Sequence, residues 1–498
     1  MHSDKEGFNM KLKELLDELQ VLECSADTDM EIGDICYDSR AVQPGDVFVA
    51  IVGFETDGHR YIGSAVERGA AAVVCQSRPE AEVPYIRVAD SRLALALMSR
   101  AYFHDPAAQM TMIGVTGTNG KTTSTLLIKH MLETVCGAKV GLIGTNSNMI
   151  GSEELPTERT TPESYELQKL FRQMADAGCT HVVMEVSSHS LCLERVAGIQ
   201  FAVGLFTNLT QDHLDFHGTM ENYAEAKAKL FSQCDRGIVN LDDRWAIYIL
   251  ERAKCPMMTF SVESLEGDLI ANDLRISPSG VKFVALHGND GLARVSLPIP
   301  GRFSVYNALG VIACGLSLGL NMQDCTESLK TAHGVKGRVE VVPTDGDYHI
   351  LIDYAHTPDA LENVLRSMRE TVSGRVVVLF GCGGDRDRTK RPIMGAIAAK
   401  LADFVIVTSD NPRTEEPMAI INEILAGMKS VRTPYVVIEN RPAAIAYAID
   451  NHQPGDIIIL AGKGHETYQI IGKEKHHMDE REIVAEHLAL RAAKREKK

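Results

Sequence analysis

Gly114-Val115-Thr116-Gly117-Thr118-Asn119-Gly120-Lys121-Thr122-Thr123 follows a short apolar run (Met112, Ile113, Val115) and precedes a helical pattern carried by Leu126, Leu127, Ile128, Met131 and Leu132. Strand, glycine-rich turn, lysine, paired threonines and helix make a phosphate cradle, in which loop N–H groups and the positive helix end face the anion. In that reading Lys121 sets a point charge on the terminal phosphates and Thr122 offers a hydroxyl to Mg²⁺. The strict pattern is not met, because Val115 stands where the first glycine of Gly-x-x-x-x-Gly-Lys-[Ser/Thr] belongs. The strand and helix on either side keep nucleotide binding as the expectation.

The chain around this loop is long and acidic. It has 498 residues and a net charge of −16, and its basic residues form no stripe. That balance argues against a nucleic-acid partner. The length is enough for about three domains, each burying its own core. The eleven cysteines include no Cys-x-x-Cys spacing, and the nearest two, Cys314 and Cys325, lie eleven positions apart. Reduced thiols in a cytoplasm are therefore expected rather than a disulfide framework. The N-terminus is charged from Asp4 onward and no apolar run reaches bilayer length, so no membrane insertion is expected. Leu12, Leu15, Leu16 and Leu19 recur at helical spacing and are expected to pack on the first domain. The basic run from Lys494 to Lys498 reads as a frayed helix end. Oligomeric state is not legible, and a monomer is the working expectation.

Three blocks emerge, giving an α/β chain of three domains. Residues 1–107 mix short apolar runs (Val47 to Ile51, Ala71 to Val74, Tyr85 to Val88) with turn signals such as Pro44-Gly45-Asp46, and read as a small α/β domain. Residues 108–335 alternate strands (Val140–Ile143, His181–Val186, Ala202–Thr207, Gly237–Asn240) with helices. That is the rhythm of a doubly wound parallel sheet carrying the phosphate loop. From 336 to 498 the rhythm restarts with Ile350–Asp353, Val376–Phe380, Val405–Thr408, Tyr435–Ile438 and Ile457–Ala461, a Rossmann-like domain. Ligands bind at the carboxyl ends of such strands, so motifs there are site candidates.

Two such motifs fall in the middle block. Met184-Glu185-Val186-Ser187-Ser188-His189 closes one strand, and Thr207-Asn208-Leu209-Thr210-Gln211-Asp212-His213-Leu214-Asp215 closes another. Carboxylate, imidazole and threonine hydroxyl beside phosphate oxygens are suitable Mg²⁺ ligands. In the last block, Asp353-Tyr354-Ala355-His356-Thr357-Pro358-Asp359, Gly381-Cys382-Gly383-Gly384-Asp385-Arg386, Asp410-Asn411-Pro412-Arg413 and Ala461-Gly462-Lys463-Gly464-His465-Glu466 each follow a strand. Together they bring Arg386, Asp410, Asn411, Arg413 and Glu466 to one rim. Guanidinium groups grip a carboxylate at two points and acids hold an ammonium, so the rim suits a zwitterionic small molecule. A structural ion-pair network is the alternative.

These residues carry a resemblance. Gly117-Thr118-Asn119-Gly120-Lys121-Thr122, Glu185-Val186-Ser187-Ser188-His189, Asp212-His213-Leu214-Asp215 and the Tyr223-x-x-Ala-Lys227 helix are similar to those of the Mur ligases, over roughly residues 35 to 482. Asp410-Asn411-Pro412-Arg413 resembles the recognition motif of the members that add meso-diaminopimelate. The resemblance implies uridine-nucleotide, ATP and amino-acid domains in that order, and an ATP-dependent amide ligase. ATP would phosphorylate the D-glutamyl carboxylate of UDP-N-acetylmuramoyl-L-alanyl-D-glutamate. The amine of meso-diaminopimelate would then displace phosphate from the acyl phosphate. It implies catalytic roles for Lys121, Lys227, Glu185 and His213, with one Mg²⁺ at Thr122 and a second held by Glu185, His213 and a carbamylated Lys227. From its own neighbours Glu225 and Lys229, Lys227 reads as a solvated helix residue.

Carried over residue by residue, the resemblance implies ATP contacts at Gly117 to Thr123, Asn307 and Arg338. It implies UDP-substrate contacts at Ser39, His59, Thr160, Thr161, Ser187 and Arg195, and diaminopimelate contacts at Arg386, Asp410, Asn411, Pro412, Arg413, Gly462 and Glu466. Two positions depart: Arg159 stands where relatives carry asparagine, and Leu193 where some carry glutamine. The alternatives are a lysine-adding Mur ligase, a folylpolyglutamate synthetase-like ligase, or a non-catalytic nucleotide-binding regulator.

Overall fold

The computed structural model describes residues 10–495 apart from 54, 55, 158, 289, 290 and 373. The charged segment around Asp4 and residues 496–498 of the basic tail lie outside the described residues. The chain divides into two compact units: residues up to Thr259 with Ser317–Gly319, and Phe260–Leu316 with the chain from Leu320 onward.

In the first unit, β1 (Val21–Cys24), β2 (Ile35–Cys36), β3 (Val47–Val49), β4 (Ala72–Cys75) and β5 (Tyr85–Val88) form a sheet ordered β1-β5-β4-β3-β2. β2 to β5 run parallel and β1 is antiparallel to β5. Helix α1 (Ser91–Tyr102) starts where the Asp90 carboxylate accepts from the Arg92 and Leu93 N–H groups, and it buries Ala94, Leu95 and Met98. Leu12 and Leu15 enter the same core, as their spacing predicts, although their helix stops at Leu16.

The same unit holds β6 (Thr111–Thr116), α2 (Lys121–Cys136), β7 (Val140–Ile143), β8 (Asn148–Ile150), β9 (Glu153–Leu155), α3 (Ser164–Asp176), β10 (His181–Glu185), β11 (Phe201–Phe206), α4 (Met220–Ala228) and β12 (Cys234–Asn240). The strands are ordered β9-β8-β7-β10-β6-β11-β12. The five from β7 to β12 in that order run parallel, and β8 and β9 add an antiparallel edge. From β6 the chain moves outward to β7, returns through β10, and then crosses to β11 on the far side. The order therefore reverses at β6, which is where open α/β sheets bind ligands. The phosphate-loop sequence sits at the carboxyl end of that strand.

In the second unit, β13 (Leu269–Ser277), β14 (Gly280–His287) and β15 (Gly291–Leu297) form an antiparallel meander, followed by helix α5 (Arg302–Ser317). The meander departs from the strand–helix alternation expected through residue 335. Its strands alternate buried and exposed positions, the pattern of a sheet covered on one face only.

A second sheet in this unit contains β16 (Glu340–Val342), β17 (Tyr348–Asp353), β18 (Val376–Phe380), β19 (Phe404–Val407), β20 (Tyr435–Val437) and β21 (Asp456–Ala461), ordered β16-β17-β21-β18-β19-β20. All but β16 run parallel. The last strand, β21, inserts between β17 and β18, so the loop after it emerges among the earlier strand ends. The five strands expected in this block are all present, within two residues of their expected limits. A hairpin of β22 (Tyr468–Ile471) and β23 (Glu474–His477) and a final helix α6 (Glu480–Arg495) follow. The α/β class with parallel central sheets is thus the observed architecture.

Candidate active site

The phosphate loop is shaped by its neighbours as much as by its own sequence. Gly120 takes φ +85 at the start of α2, a conformation that favours glycine. At Gly117 no side chain fits, since a Cβ would stand 1.9 Å from Thr207 Oγ1. Thr207 Oγ1 donates to Asn119 O (2.7 Å), Asn119 N donates to Asn208 Oδ1 (2.8 Å), and Thr118 N donates to Asn208 O (2.9 Å). Thr118 Oγ1 donates to Thr210 O at 3.2 Å and lies 3.2 Å from Tyr223 Oη. The first residues after β11 therefore brace the loop. Lys121 Nζ donates to the loop carbonyls of Gly117 (3.0 Å) and Thr118 (2.9 Å), and Thr122 is buried in the first turn of the helix.

Lys227 is not a solvated helix residue. It is buried on α4, donates from Nζ to Gly117 O at 2.8 Å, and lies 4.7 Å over the Tyr223 ring. Burial, and then the nearby Lys121 charge, push its amine well below the ordinary lysine range. It forms no ion pair among the described residues.

Glu185 ends β10 buried, with Oε1 accepting from Thr145 N (2.9 Å) and Oε2 from Thr145 Oγ1 (3.1 Å). It too has no ion-pair partner among the described residues. His213 takes φ +52 after β11, with its ring 4.8 Å from His189 and 6.3 Å from Tyr223. Burial lowers the affinity of His213 for a proton, and that of neighbouring His217 falls to about 4 for the same first reason. Among the described residues no group of three or more His, Cys, Asp or Glu is arranged to hold a metal.

Other expected contacts in this unit are engaged with the fold. Thr160 Oγ1 lies 3.0 Å from Thr145 Oγ1, and Thr161 Oγ1 donates to Glu185 O at 2.8 Å. The Ser187 hydroxyl accepts from Ser190 N, capping the short helix after β10. Arg195 donates to Thr161 O (3.2 Å) and to buried Glu163 (3.1 Å), which also faces Arg92 and Arg159. Ser39 is buried. His59 Nε2 accepts from Gln76 N at 2.9 Å, so its Nδ1 is the protonated nitrogen facing Asp57 at 2.7 Å. Only the carbon edge and face of that ring remain for a ligand.

In the second unit, three strand ends converge. The Gly381–Gly384 turn after β18 packs directly on the Asp410–Arg413 segment after β19. A Cβ on Gly381 would stand 2.3 Å from Thr408 O, and one on Gly384 would stand 1.9 Å from Pro412 O. These glycines serve close approach of two backbones, a reason their spacing alone does not disclose. Arg413, at φ +51, donates to Gly384 O (2.8 Å), and Arg386 donates to Asp385 O (3.0 Å). Asp410 and Asn411 are buried, and Asn411 Nδ2 donates to Glu466 Oε2 at 3.0 Å. Gly462 at φ +111 keeps clear of Asp410, whose Oδ2 would lie 2.8 Å from a Cβ there. Asn307 is buried on α5, and Arg338 lies 5.0 Å over the Tyr354 ring. Both belong to this second unit, whereas the phosphate loop belongs to the first.

Three basic residues that hold this rim were not among the expected site residues. Arg391 is fully buried and bonds Glu415, Glu423 and Gly383 O; its hydrogen bonds hold the Glu415 carboxyl down at about 2. Arg441 is fully buried against Glu480 and donates to Ala461 O at 2.8 Å. Lys463 is buried between Asp410, Asn411 and Glu466. Lys463 lies inside a motif already recognised at a strand end. Arg391 and Arg441 carry no such mark, since charged helix positions read alike whether solvated or enclosed.

The family described as Mur ligase family, catalytic domain, matches residues 31–103; Mur ligase middle domain matches 115–315; and Mur ligase, glutamate ligase domain, matches 337–464. The UDP-N-acetylmuramoyl-L-alanyl-D-glutamate–2,6-diaminopimelate ligase of Caldanaerobacter subterraneus subsp. tengcongensis is 47% identical over 471 residues, covering 94% of this chain and 97% of that protein. The ligase of the same description from Clostridium botulinum is 47% identical over 463 residues, covering 92% and 95%. A solved structure described as UDP-N-acetylmuramoyl-L-alanyl-D-glutamate–2,6-diaminopimelate ligase superimposes with a TM-score of 0.74 at 31% identity, covering 97% of this chain and all of the other. Sequence likeness along nearly the whole chain, and a shared fold that puts the phosphate loop at the sheet's reversal, have one reading: the chain belongs to the Mur ligase family.

Proposed function

We infer that this chain is an ATP-dependent amide ligase that joins meso-2,6-diaminopimelate to UDP-N-acetylmuramoyl-L-alanyl-D-glutamate, a step of peptidoglycan precursor synthesis. The observation that carries the reading is 47% identity across 97% of a relative described as the ligase for these two substrates. The braced phosphate loop and the Arg386–Glu466 rim support it independently. We further propose the division into uridine-nucleotide (1–107), ATP (108–335) and amino-acid (336–498) domains, supported by family matches of the same order. No described helix is long and apolar enough to cross a membrane, and all eleven cysteines are free. We further propose that the reaction is cytoplasmic, on small-molecule substrates, by a monomer.

The chemistry is charge handling. The D-glutamyl carboxylate takes the γ-phosphoryl group, ADP leaves, the amine attacks the acyl phosphate, and phosphate departs through a tetrahedral intermediate. Loop N–H groups and Lys121 bind the phosphoryl oxygens, which replace the Gly117 and Thr118 carbonyls as acceptors of the lysine. Thr160, Thr161, Ser187 and Arg195, with Ser39 and His59, line the UDP-substrate side; Asn307 and Arg338 serve the nucleotide. Arg386, Asp410 to Arg413, Gly462 and Glu466 take the amino acid.

The residues present fit Mg²⁺. Glu185 is a buried carboxylate without a cationic partner, and Thr122 adds a hydroxyl. So sparse a protein donor set suits an ion bound largely by phosphate oxygens and water. Thr122 would hold one ion, and Glu185, His213 and Lys227 as its carbamate a second; when bound, the ions would supply neutralising charge at the phosphates.

The test mixes the chain with ATP, Mg²⁺ and the UDP-dipeptide, offering meso-diaminopimelate and L-lysine in parallel. Phosphate release and a product mass with diaminopimelate alone are expected. Product with lysine alone would overturn the amino-acid assignment, and ATP binding without stimulated phosphate release would overturn the ligase. Arg413→Ala is expected to raise the KM for diaminopimelate roughly tenfold or more, through loss of a charge-assisted contact, and to leave the KM for ATP near its original value. Initial rates at varied diaminopimelate decide it, and an unchanged KM would refute the role.

A further inference from the structure

Lys463 follows β21 between Gly462 and Gly464, both in the left-handed region, and its side chain is wholly buried. Its Nζ lies 3.3 Å from Asp410 Oδ1, 3.2 Å from Glu466 Oε2, 2.5 Å from Asn411 Oδ1 and 2.8 Å from Tyr468 O. Asn411 Nδ2 bonds the same Glu466 oxygen. The β22 strand closes the cluster: Ile470 N donates to Asn411 Oδ1 at 2.9 Å, and Gln469 Nε2 donates to Asp410 O at 2.5 Å. Each acid thus gives one oxygen to the lysine. Among the described residues nothing bonds Asp410 Oδ2 or Glu466 Oε1, and Oδ2 lies where only a glycine at 462 leaves it room, since a Cβ there would stand 2.8 Å away.

We propose that Lys463 is the positioning residue of the amino-acid pocket, pinning one oxygen of Asp410 and one of Glu466 so that their free oxygens meet the ammonium group of a zwitterionic amino acid. The inference rests on the ligase reading above. Two carboxylates sharing a buried site repel each other, and an unpaired one is costly. Lys463 removes that repulsion while leaving an oxygen of each acid for the ligand. Arg386 and Arg413 supply the opposite charge for the ligand's carboxylate. Without the lysine the acids repel each other apart, and the ammonium loses its paired acceptors.

The experiment compares Lys463→Met and Lys463→Gln with the unaltered chain, measuring KM for each substrate, thermal unfolding, and direct calorimetric binding of meso-diaminopimelate. The KM for diaminopimelate should rise roughly ten- to a hundredfold, while those for ATP and the UDP-dipeptide stay near their original values and unfolding remains cooperative. In Lys463→Ala, added propylamine should restore diaminopimelate affinity by returning an ammonium to the cavity. An unchanged diaminopimelate KM in a folded variant would overturn the proposal, as would a parallel rise in all three constants. Unfolding of every variant, with no return of binding on adding propylamine, would also overturn it by assigning the lysine a purely structural role. Failure of the ligase reading shows separately, as an unaltered chain that releases no phosphate with diaminopimelate.

Discussion

Lys227→Ala is expected to lose activity by more than about 100-fold, since even groups that only support a ligand cost 10–100-fold when removed. The argument begins with burial. An amine enclosed 2.8 Å from the Gly117 carbonyl is pushed by burial, and then by the Lys121 charge, well below the ordinary lysine range, which favours its neutral form. A neutral amine is the nucleophile that adds to carbon dioxide, and the resulting carbamate offers anionic oxygen where an ammonium offers none. An anion there would also offset the Lys121 charge instead of repeating it. Short carboxylates such as acetate should partly restore the alanine variant by occupying the carbamate's place. A carbamate carbon resonance should be present in the unaltered chain supplied with labelled bicarbonate and absent in the variant. Full activity of Lys227→Ala would sink the role; activity lost without either the resonance or the rescue would make Lys227 a packing residue of the loop.

Lys121→Met is expected to lower kcat on the order of 10²–10³-fold, the scale seen when one preorganised donor to developing charge is removed. Methionine keeps the length and apolar body of the side chain but withdraws the point charge from the phosphoryl oxygens. The loop should survive, because Thr207, Asn208 and Thr210 hold it through Thr118 and Asn119. Thermal unfolding should therefore change little and the KM for diaminopimelate should hold. The Lys227 amine should keep most of its downward shift in this variant, since burial is the larger cause and persists. A kcat near the original value would remove Lys121 from the phosphate site.

Much of the candidate site was legible because it is local. Gly117 to Thr123 is one continuous strand–turn–helix segment, and Asp410 to Arg413 is one strand end. Lys227 was not legible from its neighbours. Glu225 and Lys229 make its helix look solvated, and only the packing of α4 beneath the phosphate loop encloses it. The glycines at 381 and 384 read as turn residues, yet their space is set by backbone from Thr408 to Pro412, far along the chain. The antiparallel meander at 269–297 escaped notice because its alternation of buried and exposed positions is weaker than the apolar runs of parallel strands on either side.

By itself the sequence determined the α/β class, the strand rhythm and the chemistry of the strand-end motifs, since each depends on residues adjacent in the chain. The order of strands was decided by tertiary structure. It set the phosphate loop at the reversal between β10 and β11, and inserted β21 so that Lys463 lies between acids 53 and three residues away along the chain. The downward shift of the Lys227 amine followed from packing as well, because a lysine's affinity for a proton depends on the water and charges around it, which neighbours in sequence do not fix.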